Sequence, residues 1–291
     1  MDGFLNIEKE PGMTSFDVVA KVRKLFQTRS VGHTGTLDPN ASGVLVVAVG
    51  CATKAISYLE QEDKVYAAEL TLGIETDTED IWGKTLKTCE SLDTINLSEE
   101  RIREVLVSFV GKIEQVPPMY SAIKINGKKL YELARAGMEV ERRAREIEIF
   151  SIENISVNGL KVRFTVHCSK GTYIRTLCKD IGEKLGCGAV MSELVRLKAG
   201  NFALDSACKL GELEQNFQKC FVSIEEALSR FEKLVLTEEE SRLYRNGVPV
   251  KTEVAEGRYR VYLEDEFYGI CLVKDGVIRS EKKISGKSFA E

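Results

Sequence analysis

Between residues 161 and 186 the apolar period changes, and few folds accommodate that change. Val162, Phe164, Val166 and Cys168 alternate with Lys161, Arg163, Thr165 and His167, the two-residue repeat of a strand with one buried face. Ile174, Leu177, Ile181 and Leu185 then recur at helical spacing, and Gly186 supplies a helix stop. A one-faced strand running into an amphipathic helix predicts a sheet with a helix laid against it. Opened by Thr172, that helix carries Arg175 in its first turn.

The rest of the chain extends the same plan. TSFDVVAKVRKLFQ, residues 14–27, begins with the capping candidates Thr14 and Ser15 and sets Val18, Val22, Leu25 and Phe26 on one helical face after a short first strand. The polar loop RSVGHTGTLDPNASG then leads into the apolar run Val44–Gly50, a buried strand with a loop at its mouth. YAAELTLG from Tyr66 reads as a strand, TDTEDIWGK as a turn, and residues 99–110 as a helix with Ile102, Val105, Leu106 and Phe109 on one face. EIEIFSIENISV from Glu146 is the expected partner of the strand at 161–168. Beyond about residue 232 the acidic run TEEES precedes the short alternating segments RYRVYL and FYGICLV, which predicts two domains, 1–232 and a small β-rich 233–291.

With 291 residues, 43% hydrophobic and 30% charged, the chain can bury a sizeable core and is too charged for a membrane bundle. No run of 18 apolar residues occurs, and MDGFLNIEKEPGMTS lacks the layout of a secretory signal, so a soluble cytoplasmic protein is expected. Eight cysteines lie singly and the histidines are His33 and His167, which makes reduced buried thiols and a metal-free chemistry the default. A net charge of −4 argues against indiscriminate polyanion binding but permits a local basic face. Residues 124–145 carry seven basic and three acidic side chains with Tyr131 interleaved, either a solvated helix with its loop or an RNA contact.

GHTGTLDPNASG is dense in small and polar residues around one carboxylate, Asp38. No Lys follows the glycines at phosphate-loop spacing. TGTL also occurs in the aspartyl-phosphate signature of ion pumps, but Gly32 stands where the phosphorylated aspartate would be. Two readings remain from the residues themselves. Asp38 is a nucleophile or base, or it is a turn aspartate before Pro39 satisfying local amides.

Six segments, in order and at similar spacing, resemble the TruB family of tRNA pseudouridine synthases: FLNIEKEPGMTSFDVVAKVRKLF, VGHTGTLDPNASGVLVVAVGCATK, KVYAAELTLGIETDTED, VPPMYSAIKINGKKLYELARAG, CSKGTYIRTLCKDIG and CGAVMSELVRLKAGNFAL. The resemblance implies an α+β pseudouridine-synthase fold, a largely antiparallel mixed sheet flanked by helices, followed by a small PUA-like domain. It implies isomerisation of uridine 55 in the T-loop of tRNA. In that pattern Asp38 is the catalytic carboxylate, Tyr66 lies against the target uracil and Arg175 pairs with the aspartate. Tyr173 and Leu194 help line the pocket, and His33 assists in extruding the base. Segment 124–145 becomes an RNA-gripping insertion, with Lys124, Lys128, Lys129, Arg142, Arg143 and Arg145 as phosphate contacts.

The resemblance departs at one place: the family's KPxGxTS is here Lys9, Glu10, Pro11, Gly12, Met13, Thr14, Ser15, with Pro11 displaced by one position. Moving uracil from an N- to a C-glycosidic bond is an isomerisation, so neither cofactor nor metal is implied. A carboxylate serves it by adding to the base or sugar, or by promoting departure of the base and later proton transfer. Base flipping costs a few kcal/mol, which stacking on Tyr66 at about 1–3 kcal/mol partly offsets. The family reading expects a free-standing monomer acting on tRNA, without a membrane or an obligatory protein partner. Its rivals are a non-catalytic RNA-binding or RNA-chaperone protein on the same scaffold and an aspartate-based phosphotransferase.

Overall fold

The computed structural model describes residues 1–125 and 127–284; residues 285–291 of the expected C-terminal domain lie outside the described residues. The chain divides into two units, one made of Met1–Pro39, Gly43–Gln61 and the chain from Gly200 onward, the other of Asn40–Ser42 and Glu62–Ala199.

In the first unit the strand Gly3–Lys9 is central. It runs antiparallel to Ser42–Val49, from Gly3 opposite Val49 to Lys9 opposite Gly43, and parallel to Cys208–Lys209. Phe4, Leu5, Ile7 and every residue from Val44 to Val49 are buried, which is why this stretch reads as a continuous apolar run rather than an alternation. The predicted N-terminal helix is Ser15–Leu25, started by a reciprocal cap between Thr14 and Asp17, with Val18, Val19 and Val22 inward. Among the elements not foreseen, Val31–His33, inside the polar loop, is a three-residue strand paired with Ser42–Val49. Its few residues gave no period to detect.

The C-terminal strands Glu232–Leu236, Gly257–Leu263, Glu266–Lys274, Val277–Lys283 and Val250–Lys251 form a separate five-stranded sheet in that order. Leu236, Tyr244, Val261, Leu263, Cys271 and Ile278 give it a core of its own. The TEEES run proves to start a helix, Glu238–Arg245, capped by Thr237 with Glu240 reaching back.

The second unit is antiparallel throughout its main sheet: Ala189–Ala199, Lys64–Leu72, Lys161–Cys168, Arg145–Asn158 and Gly111–Gln115 in spatial order. Val162, Phe164, Val166 and Cys168 are all buried as the alternation required, and so are Ile174, Leu177, Ile181 and Leu185 of the helix Ile174–Leu185. That helix ends on Gly186 at φ 84°, a conformation that favours glycine. Its N-cap is Tyr173 rather than Thr172, so the helix begins at Ile174. The earlier helix is Glu99–Val107, which leaves Phe109 past its end although Ile102, Val105 and Leu106 are buried. The TDTEDIWGK turn is the tip of a hairpin between Ile74–Thr76 and Thr85–Thr88. All eight cysteines are free thiols, six of them buried.

Candidate active site

Asp38 is held from both sides. Ser15, buried at the first position of its helix, donates from Oγ to the Leu37 carbonyl (3.1 Å) and accepts from the Leu37 N–H (2.9 Å). On the other side the Pro39 carbonyl accepts from Lys9 Nζ (3.1 Å) and from the Gly12 N–H (2.9 Å). Lys9 is fully buried, and its ammonium also donates to the carbonyls of Glu10 and Met13. The half-buried Asp38 thus stands between two backbone units fixed by the Lys9–Ser15 turn. Displacement of Pro11 does not open that turn, since Gly12 at φ 86° delivers its N–H to Pro39 and Thr14 caps the helix. His33 ends its short strand opposite Val47, and its Nδ1 accepts from the Gly35 N–H (3.3 Å), a backbone-bonded loop histidine.

The second unit presents the remaining residues on one sheet and one helix. Tyr66 lies opposite Val166 on one neighbour and Arg196 on the other, while Leu194 lies opposite Ala68. Directly opposed residues share a face, and so do positions two apart, so Tyr66, Leu194 and Arg196 are on the same side of the sheet. All three are buried. Arg196 was not singled out from sequence; a charged residue in an alternating strand gave no sign of its burial. Near it, burial pushes the Lys64 ammonium down to about 8, with the Arg196 charge adding to the effect.

Arg175 is only 5% exposed, so it is not a solvated helix residue. Its Nη1 donates to the Thr78 carbonyl (3.0 Å) and its Nη2 to the Tyr120 carbonyl (2.8 Å). One turn of helix therefore ties down both the tip of the Ile74–Thr88 hairpin and the segment that leads into the basic insertion. Thr176 adds a bond from Oγ1 to Glu79 Oε2 (2.7 Å). Tyr173 has no side-chain cap of its own; Gln115 bonds both its N–H and its carbonyl.

Segment 124–145 is neither one helix nor a bare loop. Lys124–Ile125 and Lys128–Lys129 pair as a tiny hairpin, with Lys124 opposite Lys129, and a helix Leu130–Arg135 follows. Lys124, Lys128, Arg143 and Arg145 are exposed, and Lys129 Nζ donates to the Tyr131 hydroxyl (3.2 Å). Lys129 and Arg135 both stand over the Tyr131 ring, at 5.3 and 5.4 Å from its centroid. Arg142 differs from the others: its Nη1 donates to the Pro117 carbonyl (3.0 Å), so it braces the insertion's own base.

Comparison with known proteins agrees with this layout. Residues 23–174 match the TruB family pseudouridylate synthase N-terminal domain, and residues 175–236 match the tRNA pseudouridylate synthase B C-terminal domain. A protein of Alkaliphilus oremlandii (strain OhILAs) named tRNA pseudouridine synthase B is 49% identical over 290 residues, covering 94% of each chain. The chain belongs to the TruB family. A Clostridium tetani member bearing the same name is 48% identical over 277 residues, 93% of this chain and 95% of that protein. Among solved structures, a Cbf5–Nop10–Gar1 complex superposes on this TruB-family chain with a TM-score of 0.73 at 27% identity, covering 97% of this chain and 85% of that one. The pseudouridine-synthase fold is therefore common to both, and the separate C-terminal sheet fits the PUA-like module expected to follow it.

Proposed function

We propose that this TruB-family chain isomerises uridine 55 in the T-loop of tRNA to pseudouridine, with Asp38 as the catalytic carboxylate. The observation that carries the reading is the double pinning of Asp38, whose neighbours Leu37 and Pro39 are each bonded to the Lys9–Ser15 turn. A turn aspartate needs no such support, whereas a nucleophile or base gains from being held before substrate arrives. Substrate preference follows the two relatives named tRNA pseudouridine synthase B.

In the reaction the bond from uracil N1 to the ribose C1′ breaks, the base turns, and C5 bonds to C1′ as its proton leaves and N1 gains one. Nothing is oxidised and no group is lost. Tyr66 offers its ring to the extruded uracil, Leu194 and Tyr173 line its slot, Arg175 is the counter-ion of Asp38, and His33 assists extrusion. Lys124, Lys128, Lys129, Arg143 and Arg145 contact phosphates, while Arg142 holds the insertion that presents them. The domain division is 1–232 for the catalytic part and 233–291 for the PUA-like part. In this reading the enzyme works as a free-standing cytoplasmic monomer.

Asp38→Asn tests the assignment on an unmodified tRNA transcript. The expected result is loss of pseudouridine at position 55 with tRNA affinity within about threefold of the native chain, because only the carboxylate's charge and basicity change. Pseudouridine made at the native rate by this variant overturns the assignment of Asp38.

A further inference from the structure

The basic insertion leaves the sheet at Gln115 and returns at Arg145, and these two residues face each other across the ladder between Gly111–Gln115 and Arg145–Asn158. Everything from 116 to 144 hangs from that pair. Gln115 is also one of the few buried polar side chains of the unit, 2% exposed. Its carboxamide forms a two-point contact with a single residue: Nε2 donates to the Tyr173 carbonyl (3.1 Å) and Oε1 accepts from the Tyr173 N–H (2.8 Å). The same Tyr173 carbonyl takes the first helical bond, from the Leu177 N–H (3.0 Å).

The geometry points to Gln115 as a positioning residue for the isomerisation: it sets the backbone at Tyr173, and with it the helix start that carries Arg175, against the stem of the insertion. This inference rests on the reading of Tyr173 and Arg175 as pocket residues. The two contacts engage the peptide groups on either side of the Tyr173 Cα and so fix the residue's orientation as well as its place, which one bond would not do. The Tyr173 side chain makes no cap bond, and the remote carboxamide instead holds the backbone of the N-cap residue itself. Because the stem's other member is Arg145, a phosphate gripped there lies at the residue directly opposite the one that orients the pocket.

The test compares the full native chain with Gln115→Met, Gln115→Glu and Tyr173→Ala, by single-turnover kinetics on an unmodified tRNA transcript, tRNA affinity and thermal melting. Met keeps the volume and removes both bonds. Its kcat is expected to fall about tenfold or more, since small misplacements of positioned groups cost up to roughly a hundredfold, while KM and tRNA affinity stay within about threefold. Glu still accepts from the Tyr173 N–H but, ionised, has no proton to donate to the carbonyl. Its activity relative to the native chain therefore rises as pH falls from about 8 to about 6, where protonation of a buried carboxyl restores the donor. Melts at each pH separate this from a merely structural role, in which the rise would follow the folded fraction and vanish once activity is scaled to folded protein. If Tyr173→Ala is impaired but both Gln115 variants stay within twofold of native, or the Glu ratio does not move with pH, the inference alone is overturned. If Tyr173→Ala is fully active, the pocket reading falls and this inference with it.

Discussion

At Arg175 the side chain does more than carry a charge. Its two terminal nitrogens reach carbonyls on different segments, Thr78 and Tyr120, in a planar fork that a shorter-reaching ammonium does not reproduce. Arg175→Lys leaves at least one buried carbonyl without its donor, at a cost of about 1.5–3 kcal/mol. Melting is expected to fall by roughly 2–4 °C per kcal/mol, and single-turnover activity more steeply. An unchanged melt together with native turnover counts against this double role. Sequence singled out Asp38 by its loop but left its role open, and gave roles to Tyr66, Arg175, Tyr173 and Leu194 only through their family context. It passed over Gln115, whose importance lies in a partner 58 positions away. The burial of Glu69 was equally hidden: it is 3% exposed, and bonds from Lys161, Arg163 and Ser192 satisfy it. Desolvation opposes its charge, yet those three donors prevail and hold the carboxyl below its ordinary range.

Elements were the most legible level, because period and capping are local. The strand at 161–168 and the inward face of the following helix came straight from alternation and helical spacing. Where boundaries slipped, a tertiary partner had replaced a local one, as at Tyr173. The helix Ile174–Leu185 carries one further oddity, Asp180, whose carboxyl burial pushes up to about 6, with Glu183 adding to the effect. Raised above its ordinary 3.8, this acid favours the folded state while protonated and opposes it once ionised. Stability is thus lost as pH rises from about 4 through about 6. Asp180→Asn is expected to raise the melting temperature by a few degrees at pH 8, after discounting about half the shift for solvent screening, and to have no effect near pH 4. Melts at both pH values decide it; equal gains at each would remove the titration argument.

For the molecule as a whole, charge is distributed against its total. The net charge is −4, yet 124–145 holds seven basic residues against three acidic ones, so the remainder is distinctly acidic. Under the proposed function that contrast draws a polyanion toward the segment and orients tRNA before contact. Reversing Lys128 and Lys129 to Glu is expected to weaken tRNA binding and to flatten its salt dependence by about 1.4–1.8 in the log–log slope, as for two lost phosphate contacts. A slope equal to that of the native chain returns the segment to a solvated face. No such distant reading foretold the tiny hairpin Lys124–Ile125 with Lys128–Lys129, which is too short for any period.

The turn from Lys9 to Ser15 has a consequence for anyone who would rebuild this scaffold. With Leu37 fastened to Ser15 and Pro39 to Lys9, the acid between them has no slack to absorb an inserted or deleted neighbour. A graft of the glycine-rich loop alone into another protein would therefore lose the bonds that fix the backbone on both sides of Asp38, so the N-terminal turn has to travel with it.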